Sequence, residues 1–371
     1  MSTAVFVMTH KEYEEPKDPV YHTLQVGRAT GDHSLPYPGD DSGDNISGRN
    51  WLFGELTGLY WIWKNHREHD HIGICHYRRF FLNGSGELMS GPEYERILSE
   101  FDIIVPKPNV SDQTNREGYA ESHNIKDLMA VKDALDKLTP EFSEAFLSML
   151  NAKSSYYANL AVMAHEDFND YCEWIFRIFA EAEKDIDVTG YDNYHKRVYG
   201  FLSELLLNTW IKKKNYHMYE TEVGITSEKA ETKELKLLLA EYVRKGDFSG
   251  GRKCYYEYME KRPDVRLSQS DLSGEIPLME IVLYILEQEQ QLGERGFAGV
   301  SSELSELLVH YRRVVGVLKG LGNGTAAEAD VQYILSNHLT PVATEIILRN
   351  TAGIRGDTVR KILGMGHGSD H

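Results

Sequence analysis

Short apolar segments alternate with longer amphipathic segments through the first 230 residues of the chain. Segments with strand character lie at residues 4–8, 21–26, 71–75, 102–105 and 156–163. Segments of helical period lie at residues 48–66, 125–138, 140–151, 168–184 and 198–213. Strands separated by helices predict an α/β fold, in which helices cover the faces of a sheet. Such sheets bind ligands at the carboxyl ends of their strands, so we expect functional residues near Thr9, residues 76–79 and residues 106–107.

The composition of the chain changes between residues 226 and 232. All five tryptophans precede residue 230, and residues 231–371 carry only about −3 of the net charge of −17. Helical patterns fill the tail, at residues 235–245, 248–261, 278–293, 301–318, 326–337 and 340–350. We therefore expect an α/β domain over residues 1–228 and a helical C-terminal domain over residues 229–371.

Charge, cysteine content and apolar run length exclude several classes of protein. A net charge of −17 disfavours nucleic acid as a partner, because phosphate backbones repel acidic surfaces. The three cysteines lie far apart and form neither a zinc-ribbon pattern nor a disulfide framework. The apolar run at residues 4–8 is too short for a signal peptide, and the run at 281–286 is too short to cross a bilayer. These features predict a cytoplasmic protein.

Common catalytic motifs are missing from the sequence. It contains no Walker A motif, no G-x-G-x-x-G motif after a strand, no H-E-x-x-H motif and no G-x-S-x-G motif. This disfavours P-loop NTPases, simple dinucleotide enzymes, zincins and typical serine hydrolases.

A polar, glycine-rich loop at residues 43–50 leads into the predicted helix that begins at residue 48, with Ser47 as its N-cap. Free N–H groups and the helix dipole at such a junction suit an anion or a polar sugar. The alternative is an ordinary capped helix after a surface loop. With Thr9, the donor-binding candidates from this reasoning are Asp44, Asn45, Ser47, Arg49 and Asn50.

Two adjacent arginines, Arg78 and Arg79, follow the strand predicted at residues 71–75. Both cannot enter an apolar core, so at least one faces a carboxylate, solvent or an anionic ligand. The planar guanidinium group suits a diphosphate, and the alternative is a surface salt bridge. His76 and Tyr77 are donor-binding candidates beside them, because the tyrosine ring offers a stacking face for a base or a sugar.

Two carboxylates are candidates for a catalytic base. Glu204 lies in an apolar helical segment, where a carboxylate is costly unless it is paired or functional. The alternative is that Glu204 faces solvent or pairs with Arg197. Asp192, in the preceding loop, is the second candidate.

Several ordered motifs resemble a bacterial family of exopolysaccharide and capsular polysaccharide biosynthesis glycosyltransferases, whose domain was long labelled as of unknown function. The motifs lie at residues 44–47, 55–65, 72–79, 159–163 and 197–204. The resemblance covers residues 3–225 and leaves the tail uncovered.

This resemblance implies a GT-A-like mixed sheet that binds a UDP-sugar, transfer of galactofuranose, and a growing or lipid-linked cell-surface glycan as acceptor. We expect inversion if the donor is an α-linked UDP-galactofuranose. The resemblance also implies that Asn159 contacts the acceptor or the donor sugar. Most GT-A enzymes bind Mn²⁺ or Mg²⁺ through an Asp-x-Asp motif, whose place is taken here by residues 76–79. We therefore expect arginine charge to do part of the metal's work, with a metal bound through His76 or Asp102 as the alternative.

The sequence thus predicts a glycosyltransferase. The alternative is a non-catalytic domain that binds a nucleotide or a glycan and is fused to a helical interaction module. The sequence does not decide between three roles for the tail. It could mediate oligomerisation, dock to a polysaccharide assembly complex at the inner face of the membrane, or cover the first domain's apolar surface.

Overall fold

The computed structural model describes residues 2–266, 270–336 and 339–365. The chain divides into two compact units, Met1–Thr226 and Ser227–His371. The strands are β1 (Thr3–Thr9), β2 (Tyr21–Gln25), β3 (His71–His76), β4 (Arg79–Phe81), β5 (Ile103–Pro106), β6 (Asn109–Val110), β7 (Ser154–Ser155), β8 (Ala161–Ala164), β9 (Met218–Thr221) and β10 (Val223–Ile225). The first unit's helices are α1 (Asn50–Phe53), α2 (Leu56–Asn65), α3 (Gly91–Leu98), α4 (Asn115–Ser122), α5 (Ile125–Leu138), α6 (Ser143–Leu150), α7 (His165–Ala182) and α8 (Val198–Lys214). The second unit's helices are α9 (Ala230–Lys245), α10 (Phe248–Lys261), α11 (Ile276–Leu292), α12 (Leu304–Asn323), α13 (Glu328–Ser336), α14 (Pro341–Asn350) and α15 (Gly356–Ile362).

The first unit is built on one mixed sheet with the strand order β2-β1-β3-β8-β5-β9. Strands β1, β2 and β3 are parallel, β8 is antiparallel to β3 and β5, and β9 is parallel to β5. The carboxyl ends of β1, β3 and β5 therefore lie at the same edge of the sheet. Helices flank the sheet, and the second unit is helical where it is described, so the predicted fold class is confirmed.

Both faces of the sheet are covered. Along β1, Phe6 and Met8 pack into a core with residues of α2, α5, α7 and α8, whereas Val5 and Val7 pack with residues of α3. Because neither face of β1 meets water, its sequence is an uninterrupted apolar run rather than an alternating one.

The single helix predicted over residues 48–66 is wrong. A 3-10 turn at Ser47–Arg49 leads into the one-turn helix α1, and α2 starts only after Gly54. Gly54 has a φ of +57°, a left-handed conformation that ends α1 and that glycine adopts without strain. The break redirects the chain so that α2 packs closely on β1, where a Cβ on Gly58 would lie 2.5 Å from the Met8 sulfur.

The strand predicted over residues 156–163 is also shorter than expected. Only Ala161–Ala164 pairs in the sheet, as β8. Ala158 and Asn159 have φ angles of +70° and +53°, which are not strand angles, so the chain joins the sheet only after these residues.

Asp40 is the centre of the loop region that precedes α1. Its side chain is fully buried and accepts hydrogen bonds from the N–H groups of Gly27 (2.9 Å) and Arg28 (3.1 Å) and from the Ser47 hydroxyl. Ser47 in turn accepts a hydrogen bond from the N–H of Ala29 (3.0 Å). The expected N-cap role of Ser47 is therefore wrong, because its hydroxyl connects two loops instead of capping a helix.

The second unit has its own apolar core, to which α9, α10, α11, α12 and α14 contribute. Lys236 on α9 bridges Glu228 (2.6 Å) and Asp271 (2.9 Å) at the edge of this core. Within the ranges that the structure describes, no helix is both long enough and apolar enough to cross a membrane.

We expect Asp40→Ala to lower the free energy of unfolding of the first unit by about 3 kcal/mol, because it leaves buried N–H groups without an acceptor. Urea unfolding followed by tryptophan fluorescence reports on this unit alone, since all five tryptophans precede residue 230. Asp41→Ala is the matched control, because Asp41 is exposed. Equal unfolding midpoints for the two variants would contradict the role of Asp40.

Candidate active site

The candidate site lies beside the carboxyl end of β3. Strand β8 pairs with β3 only as far as Ile74, and β4 takes over that side of β3 from His76 onward. The residues that precede β8, Ala158 and Asn159, lie outside the sheet at this point. Side chains of four parts of the chain meet here, beside the end of β3. They come from β3 itself, from residues 158–159 and from the starts of α2 and α8.

The Glu55 carboxylate lies at the centre of this cluster. One oxygen accepts a hydrogen bond from Asn159 Nδ2 (3.0 Å), and the other lies 3.6 Å from the Arg197 guanidinium group. Burial by itself raises the pKa of Glu55, but the positive charge of Arg197 and the hydrogen bond from Asn159 oppose this effect and hold its pKa below the ordinary value. Glu55 is therefore ionised at neutral pH although its side chain is only 13% exposed.

His76, the last residue of β3, is neutral in this setting. Burial lowers its pKa to about 4; Glu55 opposes the shift, and the positive charges of Arg79, Arg197 and Arg78 add to it. In the described part of the chain, no hydrogen-bond partner meets its buried Nε2 atom. A neutral imidazole can donate or accept a hydrogen bond to a polar ligand.

Glu204 on α8 is the second carboxylate of the site and is half-buried. Burial and the negative charge of Glu55 raise its pKa to about 7, against the opposing effects of Arg79, a backbone hydrogen bond at Ala158 and Arg197. Two carboxylates whose pKa values are pushed apart take different roles, and one with a pKa near 7 suits proton transfer. The sequence-based choice of Glu204 as a base candidate is thus compatible with its surroundings.

Asn159 and the preceding Ala158 both adopt left-handed φ angles, which are strained for alanine and tolerated by asparagine. Hydrogen bonds fix the Asn159 side chain. Its Nδ2 also donates to Ser203 Oγ (2.8 Å), and Ser203 donates onward to the carbonyl of Gly200 (2.7 Å). Strain of this kind is concentrated at functional sites, where surrounding contacts maintain it.

Tyr77 and Arg78 form the turn from β3 into β4, and Arg79 is the first residue of β4. Arg78 is only 5% exposed, and its carbonyl accepts a hydrogen bond from the Thr226 N–H (3.0 Å). Arg79 is half-buried and pairs with His76 across the strands. The structure therefore brings both guanidinium charges close enough to His76 to act on its pKa.

Thr9 and Tyr77 lie at the same edge of the sheet, at the end of β1 and just after β3. The Tyr77 N–H donates to the carbonyl of Met8 (3.0 Å), and the Tyr77 ring lies against His10 (5.4 Å between centroids) and below Lys11 Nζ (5.1 Å). The Thr9 hydroxyl donates to the carbonyl of Lys11 (2.5 Å). The Tyr77 ring thus lies at this edge of the sheet, packed against the core that contains Val5 and Val7.

The polar residues at 44–50 make internal contacts. Asp44 accepts a hydrogen bond from the Tyr60 hydroxyl (3.1 Å), and Arg49 pairs with Glu183. The Asn45 side chain accepts a hydrogen bond from the N–H of Ser47 (3.2 Å). The Asn50 side chain donates one to the carbonyl of Gly54 (2.7 Å). The expected helix-dipole site does not form, because α1 has a single turn. The donor-binding role of these residues remains a prediction.

Asp192 has surroundings unlike those of Glu204. Its carboxylate accepts hydrogen bonds from the N–H groups of Tyr194 (2.8 Å) and His195 (2.9 Å) and contacts the His195 ring (2.8 Å). Burial by itself raises the pKa of Asp192, but the contacts with His195 and Tyr194 outweigh burial and lower it. It is therefore a weaker base than Glu204 and is bound within its own loop.

Two residues of this cluster were missed as site residues from the sequence. Glu55 lay inside an assumed helix, and Arg197 was considered only as a partner for Glu204. The signal that could have identified them is Gly54, because a glycine lets another group come close to the backbone. A Cβ at residue 54 would lie 3.3 Å from the Arg197 guanidinium group.

The residues at the end of β3 do not fit a metal site. Within residues 2–266, 270–336 and 339–365, no three His, Cys, Asp or Glu side chains are grouped so that they could hold a metal ion. His76 lies among arginine charges, which repel a cation. Asp102 accepts a hydrogen bond from the His217 N–H (2.7 Å).

We expect Ala158→Gly to cost about 1 kcal/mol less than Ala161→Gly, because only the former relieves a left-handed alanine. Both alanines are buried, so each change removes one buried methyl group and the difference isolates the backbone conformation. Urea unfolding followed by tryptophan fluorescence measures both. Equal costs would mean that the backbone at residue 158 is not strained.

Comparisons with known proteins place this chain in a family. Residues 4–215 match the family described as a domain of unknown function, DUF4422. The chain is similar to the apo structure of the bifunctional glycosyltransferase WbbM, with 30% sequence identity and a TM-score of 0.55. That similarity covers 62% of this chain and 46% of the WbbM chain, so it spans less than half of WbbM. No curated protein gives a significant match. Because the family match covers more than half of the 371 residues, the chain belongs to the DUF4422 family.

Proposed function

We propose that the first unit transfers a sugar from a nucleoside-diphosphate donor to a glycan acceptor. The similarity to a bifunctional glycosyltransferase supports this class of reaction. The observation that carries the proposal is the arrangement at the end of β3, where Glu204, with a pKa of about 7, lies with an ionised Glu55 among three arginine charges. A group that accepts a proton and cations that stabilise a leaving anion are what sugar transfer requires.

The proposed reaction is a single displacement. Glu204 accepts the proton of the acceptor hydroxyl as its oxygen bonds to the anomeric carbon of the donor sugar. The bond from that carbon to the diphosphate oxygen breaks, and its electron pair leaves with the nucleoside diphosphate. The configuration at the anomeric carbon inverts.

Charge on this chain's own residues supports the leaving group. We assign the diphosphate to Arg78 and Arg79, because guanidinium groups bind phosphate oxygens through paired hydrogen bonds. Asn159 is assigned to the sugar, with the neutral His76 as a further hydrogen-bonding group. Tyr77 offers its ring to the base or the sugar.

The finer identity of the substrates is part of the same proposal. We propose UDP as the nucleotide, galactofuranose as the donor sugar, and a growing or lipid-linked cell-surface glycan as the acceptor. The resemblance of residues 44–47, 55–65 and 72–79 to glycosyltransferases of exopolysaccharide and capsule biosynthesis supports these choices.

We expect Glu204→Gln to lower kcat by at least about 100-fold, because the amide cannot accept the proton of the acceptor hydroxyl. In the unaltered protein, kcat/KM should rise with pH through about 7, where Glu204 loses its proton, and this rise should vanish in Glu204→Gln. The measurement is release of UDP from UDP-galactofuranose across a pH series.

Asp192→Asn is the matched comparison, since it makes the same chemical change in the other base candidate. It should leave kcat within about twofold of the unaltered protein. A large loss in Asp192→Asn together with a normal rate in Glu204→Gln would reverse the assignment of the base.

We expect Arg78→Ala to lower kcat/KM by at least about tenfold, because it removes charge that opposes the developing negative charge on the diphosphate. The control is Arg96→Ala, which removes an exposed arginine on α3 that lies 4.0 Å from Glu100.

Activity should also persist in EDTA. Normal turnover in Arg78→Ala would exclude its diphosphate role, and heat stabilisation by UDP without any turnover would favour the non-catalytic binding domain.

A further inference from the structure

A small internal cavity lies beneath the candidate active site. Its volume is about 10 Å³, close to the space that one water molecule needs. Two polar residues, Asn159 and Tyr171, contribute to its lining. The remaining lining is apolar and comes from Leu59, Ile74, Ala161, Met163, Phe168 and Leu207.

The hydrogen bonds of Asn159 determine which way its side-chain amide faces. Nδ2 donates to the Glu55 carboxylate and to Ser203 Oγ, which already donates its own proton to the carbonyl of Gly200. A flipped amide would place Oδ1 against a carboxylate and against a hydroxyl oxygen that has no proton left to offer. The Asn159 Oδ1 atom is therefore directed away from these groups and needs a donor from elsewhere.

That donor is missing among the side chains and backbone groups of the described residues. The Oδ1 atom of Asn159 is buried without a hydrogen-bond partner there, and so is the hydroxyl of Tyr171, whose side chain is 2% exposed. A buried polar atom without a partner costs about 1–3 kcal/mol. Because both residues line the same small cavity, a single molecule there that donates and accepts can satisfy both atoms.

We propose that one buried water molecule bridges the Tyr171 hydroxyl and Asn159 Oδ1, which makes Tyr171 a positioning residue for the active site. The water donates to Asn159 Oδ1 and shares a second hydrogen bond with Tyr171. The Asn159 amide is thereby held with its NH₂ group toward Glu55. The catalytic consequence rests on the proposed transferase function, whereas the water bridge itself does not.

The first test is structural and needs no substrate. A crystal structure of the whole chain at a resolution of about 1.8 Å or better should show one ordered water within hydrogen-bond distance of both atoms. The side-chain amide signal of Asn159 in a ¹H–¹⁵N NMR spectrum should shift in Tyr171→Phe. An empty cavity, or a water that contacts neither atom, would overturn the proposal.

The second test is kinetic. Tyr171→Phe should lower kcat about tenfold while KM changes less than about twofold, because the substrate still binds but the groups around Glu55 are less well oriented. Tyr119→Phe is the matched control, since Tyr119 is also buried with a hydroxyl that has no partner in the described ranges, but it does not line this cavity. Equal kinetics for the two variants would overturn the positioning role.

The two tests separate this proposal from the proposed function. If no donor is turned over, the transferase proposal fails, and the ordered water and the Asn159 signal still decide the bridge. If transfer occurs but the cavity is empty, only the bridge fails.

Discussion

The ionised carboxylate of Glu55 is the interaction on which the site depends. A buried negative charge is tolerated only when other groups replace the water that it has lost. At Glu55 those groups are Asn159 and Arg197, together with the nearby His76. They come from the segment before β8, the start of α8 and the end of β3. One charge therefore holds together parts of the chain that are more than 100 residues apart.

The same charge differentiates the titratable groups around it. Repulsion from Glu55 adds to burial and brings the pKa of Glu204 to about 7, while burial and the arginine charges keep His76 neutral. A site with one fixed carboxylate, one carboxyl group that titrates near neutral pH and several fixed cations can move a proton and stabilise an anion at once. This division of roles arises from placement, since Glu55 and Glu204 are the same kind of residue.

The candidate site forms where regular structure stops. Strand β8 is short because Ala158 and Asn159 adopt left-handed conformations, and α1 ends after one turn at Gly54. Each irregularity costs some conformational stability or removes a few backbone hydrogen bonds of the regular element. Together they let Asn159 and Glu55 meet beside β3. The buried Asp40 stabilises the neighbouring loops, so the irregular segment before α1 still has a defined structure.

The sequence by itself determined the α/β class, strands β1, β2, β3 and β5, and helices α5 and α8, and it made Glu204 and residues 76–79 candidate site residues. These features depend on hydrophobic period and residue type, which are properties of neighbouring positions in the chain. Only the tertiary structure decided that residues 48–66 break at Gly54, that Ser47 binds Asp40, and that Glu55 and Arg197 belong to the site. The ionisation of a carboxylate and the end of a helix depend on groups that are distant in sequence and close in space, and one-dimensional patterns carry no information about such distances.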